Sequence, residues 1–206
     1  MKLLAVTDEV VDIIYSPRIC SRFGDVDLLA SCGDLPFSYL EYIISMLNVP
    51  GFFVHGNHDC DEHTSCGHIL KAPGGWTNLD GRTVRRKGVI IGGLEGSIRY
   101  RPDGVHQYTD MQMAFRMWRM TPRLLLNHAL YGRYIDILIT HSPPHGIHDG
   151  PDYAHRGFKA FRSFMARFRP TYLLHGHKHI YGLERWQTTF IDTQVINVFP
   201  FRIIEW

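Results

Sequence analysis

Polar side chains that can hold a cation or move a proton collect at a few places along this chain, each at the end of an apolar run. The first run ends in Thr7-Asp8 and the second in Ser31-Cys32-Gly33-Asp34. A third ends in His55-Gly56-Asn57-His58-Asp59, a fourth in Thr140-His141, and the last in His175-Gly176-His177-Lys178-His179. Carboxylates, an amide oxygen and imidazoles make a mixed oxygen and nitrogen donor set. Such a set suits borderline divalent ions such as Mn²⁺, Fe²⁺, Zn²⁺ or Co²⁺ and needs no thiolate. It is larger than one four-coordinate ion requires. A carboxylate shared between two ions is an economical way to build a dinuclear centre, and two ions about 3.5–4 Å apart can clamp the attacking and leaving oxygens of a phosphoryl displacement. A single Asp after a strand is usually a helix cap or a turn residue. Here ligand-type residues recur at successive strand ends, and that joint pattern favours a metal site over isolated caps.

These residues need elements that bring the strand ends together. The apolar runs over 2–7, 27–31 and 51–55 read as strands buried on both faces. Between the last two, Tyr39, Ile43, Ile44 and Leu47 recur at helical spacing over 36–47, so strand, helix and strand form a parallel unit. Over 78–94, Asp80-Gly81 reads as a hairpin turn beside strand-like Val84 and 89–91. A long helix rich in Met, Phe and Trp is expected over 109–126, a buried strand over 135–140, a basic amphipathic helix over 157–168 and a strand over 172–175. The tail, 181–206, alternates as antiparallel strands with a turn near Pro200. No Pro-, Gly- or Ser-rich linker divides the chain, so 1–206 reads as one domain of two packed sheets flanked by helices. In parallel α/β folds, ligands bind beyond the carboxyl ends of the strands. The glycines at those ends are expected to let the chain turn sharply.

Composition bounds the rest. Of 206 residues, 45% are apolar and 20% charged, and the net charge is +2, ordinary values for a self-sufficient core. Mild basicity suits an anionic substrate but is too weak to argue for nucleic acid, and no aromatic-basic stripe for a single strand is visible. The 13 histidines are the unusual count, many of them beside Gly, Asn or Asp in turn-like stretches. Cys20, Cys32, Cys60 and Cys66 make no disulfide framework in a chain of this length. The first apolar run stops at Val6, too short for a signal peptide, and no stretch approaches the roughly 18 apolar residues of a membrane span. A cytoplasmic, reduced protein with no membrane partner is expected.

Taken in order, Asp8-Glu9-Val10, Gly33-Asp34, Gly56-Asn57-His58-Asp59, His141 and Gly176-His177-Lys178-His179 resemble the blocks of the calcineurin-like metallophosphoesterase superfamily. Those blocks run Asp-x-His, Gly-Asp, Gly-Asn-His-Asp/Glu, a lone His and Gly-His-x-His. The resemblance covers most of the chain and implies a four-layer αββα sandwich, two mixed β-sheets flanked by helices. It also implies hydrolysis of a phosphomonoester or phosphodiester by a dinuclear centre of two divalent ions, Mn, Fe or Zn. On that resemblance Asp34 bridges the ions, Asn57, His141 and His177 complete the second, and Asp8 and His179 hold the first. His58 stands beside the scissile phosphate and assists the leaving oxygen, with Asp59 orienting it through a hydrogen bond. A metal-bound hydroxide attacks phosphorus in line with the leaving group.

The first block departs from the pattern. Its usual His ligand is Val10 here, which cannot coordinate. Purple acid phosphatases, which also lack that His, place a Tyr three residues after the bridging Asp; that position is Phe37. Tyr39 stands at the wrong spacing, and Glu9 reaches the site only if the turn differs. The first ion therefore keeps Asp8, Asp34 and His179, and its site is expected to be weaker or differently occupied. Two rivals follow. One is a degraded member serving as a protein-binding scaffold, as the retromer subunit of this fold does; Val10 and Phe37 argue for it, His58, Asp59 and the second-ion set against it. The other is a nuclease.

Smaller constellations remain. Cys60, His63, Cys66 and His68 could bind zinc, although zinc modules usually have two separated ligand pairs; the alternative is a polar loop beside the site. After His141 the loop 142–156 offers His145, His148 and His155 as substrate contacts, or a loop held by its own hydrogen bonds. Arg99, in the loop 96–102 with Tyr100 and Arg101, could grip phosphate, or belong to a solvated turn. Arg82, Arg85, Arg86 and Lys87 read as a solvated hairpin face. Met111, Phe115, Trp118 and Leu125 repeat at near-helical spacing, as core or as the face of a homo-oligomer.

Overall fold

The computed structural model describes residues 1–63, 67 and 69–206. Its strands form from continuous apolar runs because alternate side chains have two different cores to enter. Leu3 and Ala5 face one cluster, with Leu28, Ala30, Phe52, Ile91, Ile137, Ile139 and Leu174. Leu4 and Val6 point the other way, into a cluster with Ile19, Leu29, Ile43 and Phe53. A strand covered on both faces requires this pattern.

The first sheet orders its strands Phe201–Glu205, Lys2–Val6, Leu28–Ser31, Gly51–Phe53 and Trp76–Asn78. All neighbours are parallel except Phe201–Glu205 against Lys2–Val6. The second sheet orders Gln187–Phe190, Thr193–Asn197, Tyr172–His175, Ile137–Thr140, Val89–Leu94 and Thr83–Arg86. Its inner pairs are parallel and its two outermost pairs antiparallel. The inner faces of the sheets share one core. Helices Ile19–Phe23 and Phe37–Leu47 cover the outside of the first sheet, and Asp110–Tyr131 and Lys159–Phe168 cover the outside of the second. These are the four layers, αββα, that the sequence blocks imply.

Several elements differ from the sequence reading. The hairpin in 78–94 turns at Lys87-Gly88, both left-handed with φ of 48° and 84°, the conformation that two-residue hairpins favour. Asp80-Gly81 instead links the two sheets, with Asp80 bridging to Gly93. The tail does not form one antiparallel unit. Gln187–Phe190 pairs with Thr193–Asn197 in the second sheet, and after Pro200 the strand Phe201–Glu205 crosses to the first. The long helix continues to Tyr131 rather than ending near 126. Thr109 and Gln112 form a reciprocal capping box at its start, and left-handed Gly132, φ 73°, closes it. Pro122 lies inside it, because Met113, Met117, Met120 and Leu124 are buried against the second sheet on both sides of that position.

Candidate metal centre

The strand ends converge at one edge of the sandwich. His141 follows the strand Ile137–Thr140 and is fully buried. Its Nδ1 donates to the Cys32 carbonyl at 2.8 Å, which leaves Nε2 facing the cluster. Around that nitrogen stand Asn57 Oδ1 at 3.1 Å, His177 Nδ1 at 3.1 Å and Asp34 Oδ2 at 3.2 Å. His177 Nε2 donates to the Ala154 carbonyl at 2.8 Å, so its Nδ1 lone pair points inward. The Asn57 amide nitrogen donates to the Tyr100 hydroxyl at 3.0 Å, which turns its oxygen inward too. A backbone carbonyl or a hydroxyl thus fixes each neutral donor, as outer partners do for metal ligands.

The backbone at these residues is bent to the purpose. Asp8, Asp34 and His177 all take left-handed φ, 59°, 56° and 67°, a conformation that costs a non-glycine residue energy and concentrates at functional sites. The sharp turns fall on these three candidate ligands themselves as well as on Gly33, φ 95°. Gly56 and Gly176 serve space: a Cβ on Gly56 would overlap the Asp34 carboxylate, and one on Gly176 the Asp8 carboxylate and the Thr7 hydroxyl.

Charge is balanced tightly. Burial opposes a charge on His141, yet the adjacent Asp34 carboxylate outweighs it and pushes the imidazole pKa up to about 9. Burial likewise opposes ionisation of Asp34, and His141 outweighs it, holding that carboxyl well below the usual range. His177 goes the other way: burial first, and the His141 charge second, bring it down to about 3. The Asp34 and Asp8 carboxylates thus favour a positive charge at His141. A divalent cation fits this donor set, with two oxygens and two imidazole nitrogens converging, the ligand types borderline ions prefer. Asp34, Asn57, His141 and His177 are the residues that would hold it.

The other half of the cluster is looser. Asp8 Oδ2 accepts from Thr7 Oγ1 at 2.7 Å and from the His177 N–H at 2.9 Å. Burial raises the Asp8 pKa, with His141 opposing. His179 Nε2 stands 4.0 Å from Asp8 Oδ1, and its side chain is 44% exposed. The ring stacks on Phe199 with centroids 4.2 Å apart. Val10 is exposed and brings no donor.

Asp8, Asp34, His58, His155, His177, Lys178 and His179 line a cleft of about 600 Å³. His58 is exposed, and its N–H donates to Asp34 Oδ1 at 2.8 Å. Asp59 differs from expectation. Its carboxylate accepts from the N–H groups of Gly56 at 2.8 Å and Asp34 at 3.1 Å. Among the described residues no hydrogen bond joins it to the His58 ring. It braces the backbone of Gly56 and Asp34, whose amides it satisfies.

The expected substrate contacts divide. His155 lines the cleft, its Nδ1 2.9 Å from Asp152 and its ring 5.2 Å from that of His177. His148 is half-buried between His175 Nε2 at 3.0 Å and Thr188 Oγ1 at 2.9 Å, and burial brings its pKa down to about 4. His145 pairs with Asp149 at 3.3 Å. Arg99 directs its Nε and Nη2 groups to the Gln107 carbonyl and the Gln112 side chain. None of these three lines the cleft. In the zinc candidate, Cys66 and His68 lie outside the described residues. Thr7 and Lys178 are not among the expected site residues, and Tyr100, expected only beside Arg99 in a candidate substrate loop, instead accepts from Asn57. A tyrosine beside two arginines and a threonine ending a strand gave little signal of their contacts.

A second gathering, His55, Glu95 and His106, lies nearby. Both imidazole Nδ1 atoms face Glu95 at 3.1 Å, and the rings stack at 4.6 Å and 6°. Parallel rings direct their lone pairs side by side rather than to one point. The Tyr108 hydroxyl and the Arg116 guanidinium also engage Glu95, at 2.5 and 3.4 Å. This is a closed charge network that ties the end of Gly51–Phe53 to the second sheet.

The model of the calcineurin-like phosphoesterase family matches residues 7–181. No curated protein matches the chain. One crystal structure, 15% identical, covers 98% of this chain and 94% of its own, with a TM-score of 0.66. The crystal structure of TT1561 of Thermus thermophilus, 14% identical, covers 96% of this chain and 88% of its own, with a TM-score of 0.62. Vacuolar Protein Sorting 29 from Cryptosporidium parvum, 11% identical, covers 96% and 72% with a TM-score of 0.46. At such identities the first two likenesses show the fold.

Proposed function

The chain belongs to the calcineurin-like phosphoesterase family, and on that premise we propose that it hydrolyses a phosphomonoester or phosphodiester at a centre of two divalent cations. The observation that carries this reading is the convergence of Asp34 Oδ2, Asn57 Oδ1 and His177 Nδ1 on His141 Nε2, at the wall of a cleft that also holds Asp8, His58 and His179. When bound, the cations supply Lewis acidity toward the phosphoryl oxygens and lower the pKa of water. The chain's own residues do the rest. Asp34 lies between the His141 side and the Asp8 side and serves both. His58, exposed at the cleft, gives a proton from its imidazole to the leaving oxygen. Lys178 and His155 line the same cleft and attract the anionic substrate. Asp59 keeps the Gly56 and Asp34 amides in place.

Release of product from an aryl phosphate and an aryl phosphodiester, with Mn²⁺ supplied, tests the reading. The wild type is expected to turn over at least one of them. His58→Ala is expected to lower turnover by about 10²–10⁴, the usual worth of a general acid, with calorimetric Mn²⁺ binding unchanged. A wild-type protein that binds Mn²⁺ yet turns over no ester would refute hydrolysis and leave the scaffold reading. Cleavage confined to single-stranded DNA or RNA would replace it with the nuclease.

A further inference from the structure

The 22-residue helix Asp110–Tyr131 carries two apolar stripes, and the fold uses one. Met113, Met117, Met120 and Leu124 are buried against the second sheet. The other stripe, Met111, Phe115, Trp118, Pro122, Leu125 and Ala129, is exposed along its whole length. Met111 is 80% exposed, Trp118 64%, Phe115 57% and Leu125 50%. Its positions advance by alternate steps of four and three residues, the 3.5-residue period of a helix–helix seam. A merely solvated face has no reason to hold that register.

We propose that a second copy of this chain covers the stripe, the two helices packing antiparallel about a two-fold axis at the level of Met120. The seam is self-complementary under that operation. Met111 meets the partner's Ala129, Phe115 meets the partner's Leu125, and Trp118 meets the partner's Pro122. Each pair sets a larger side chain against a smaller one, the condition for interdigitating layers, and the contact closes as an isologous dimer. A parallel pairing would place Trp118 on Trp118 at one level and Ala129 on Ala129 at another, crowding the first and leaving a gap at the second. The area also suits. One partner in a stable interface contributes about 800 Å², and aromatic side chains supply about 150–250 Å² each when fully covered. Phe115 and Trp118, with Met111, Leu125, Leu126 and Leu130, all 45% exposed or more, supply an apolar area of that order. The flanks carry one like-charge contact, Arg119 beside the partner's Arg119. The helix's sole carboxylate, Asp110, is engaged by the Ala160 N–H at 3.1 Å.

Sedimentation velocity of the full chain over a dilution series tests the pairing. The expected result is a reversible monomer–dimer equilibrium that tightens with added salt, because salt screens the Arg119 pair. Trp118→Lys should be monomeric throughout, with unchanged circular dichroism, since the residue is exposed in the single chain, and with a thermal midpoint that no longer depends on concentration. Arg119→Glu mixed with wild type should form mixed dimers more tightly than either forms its own, a preference that only the antiparallel register creates. A wild type that stays monomeric at every concentration overturns the proposal, as does a dimer that survives Trp118→Lys. Equal affinity in the mixing experiment overturns the antiparallel register.

Discussion

The two halves of the cation cluster are built by different means. Around His141 Nε2, three donors from three other segments lie within 3.1–3.2 Å, and partners outside the cluster fix the orientation of each neutral one. Around Asp8, the histidine partner stands 4.0 Å off and is nearly half exposed, held by a stack on Phe199 and a 3.4 Å contact between Tyr181 and its Nδ1. The first half is preorganised: its donors already converge and are held there by their outer partners. The second half must order His179 on binding and lacks the donor that Val10 displaces. The difference shows that neighbouring atoms restrain the donors of one half and leave those of the other half looser, which is where outer partners would tune a cation.

The same substitution made in each half tests that contrast most strongly. His141→Ala is expected to weaken the tighter cation by at least about 100-fold, beyond the loss of an outer partner. His179→Ala should weaken only the second equivalent and leave the first within severalfold. Titration calorimetry of the metal-free protein with Mn²⁺ separates the two, and equal losses would break the comparison.

A pH effect of similar size should follow from the positive charge favoured at His141. His141 is held at about 9 in the metal-free chain, so a cation entering at neutral pH must displace its proton. Apparent affinity for the first equivalent should rise roughly tenfold per pH unit and level off near 9, with a proton released on binding. The sign for metal-free stability is the reverse. The pKa is raised on folding, so its contribution is complete below the ordinary value of 6.5 and lost as pH rises through about 9. Thermal midpoints of the metal-free chain should therefore fall across that window, and His141→Ala should remove the trend.

Tyr100→Phe removes the acceptor that orients Asn57. It should cost the tighter cation about tenfold, with little change at the second. The smallest effect is the most direct repair: Val10→His should tighten the weaker equivalent severalfold and leave the tighter one alone. No gain would show that the looseness lies in His179 rather than in the missing ligand.

Much of this was legible in the chain. The alternate side chains of 2–7 and 27–31 enter two cores, and a continuous apolar run reports that directly. The helix Phe37–Leu47 followed from Tyr39, Ile43 and Leu47. The segment 19–23 is too short to show a period, and the hairpin turn was assigned to Asp80-Gly81 because Lys87-Gly88 carries a lysine in a left-handed conformation that local sequence does not announce. In the site, His148 and Arg99 resemble substrate contacts by type and loop position. The fold places His148 beside His175 and Arg99 against the Gln107 carbonyl, and neither lines the cleft.

By itself the sequence determined the donor inventory: two carboxylates, an amide and three imidazoles in a fixed order, with Val10 and Phe37 where other donors stand. Coordination chemistry depends on residue type, and type is what a sequence states. Only the tertiary structure decided how those donors are aimed. The Cys32 carbonyl that orients His141 lies 109 residues away in the chain, and the Ala154 carbonyl that orients His177 comes from another loop. Asp59 turned from its neighbour His58 to the amides of Gly56 and Asp34. Hydrogen bonds are directional and short-ranged, so their partners are fixed only once the strands are packed.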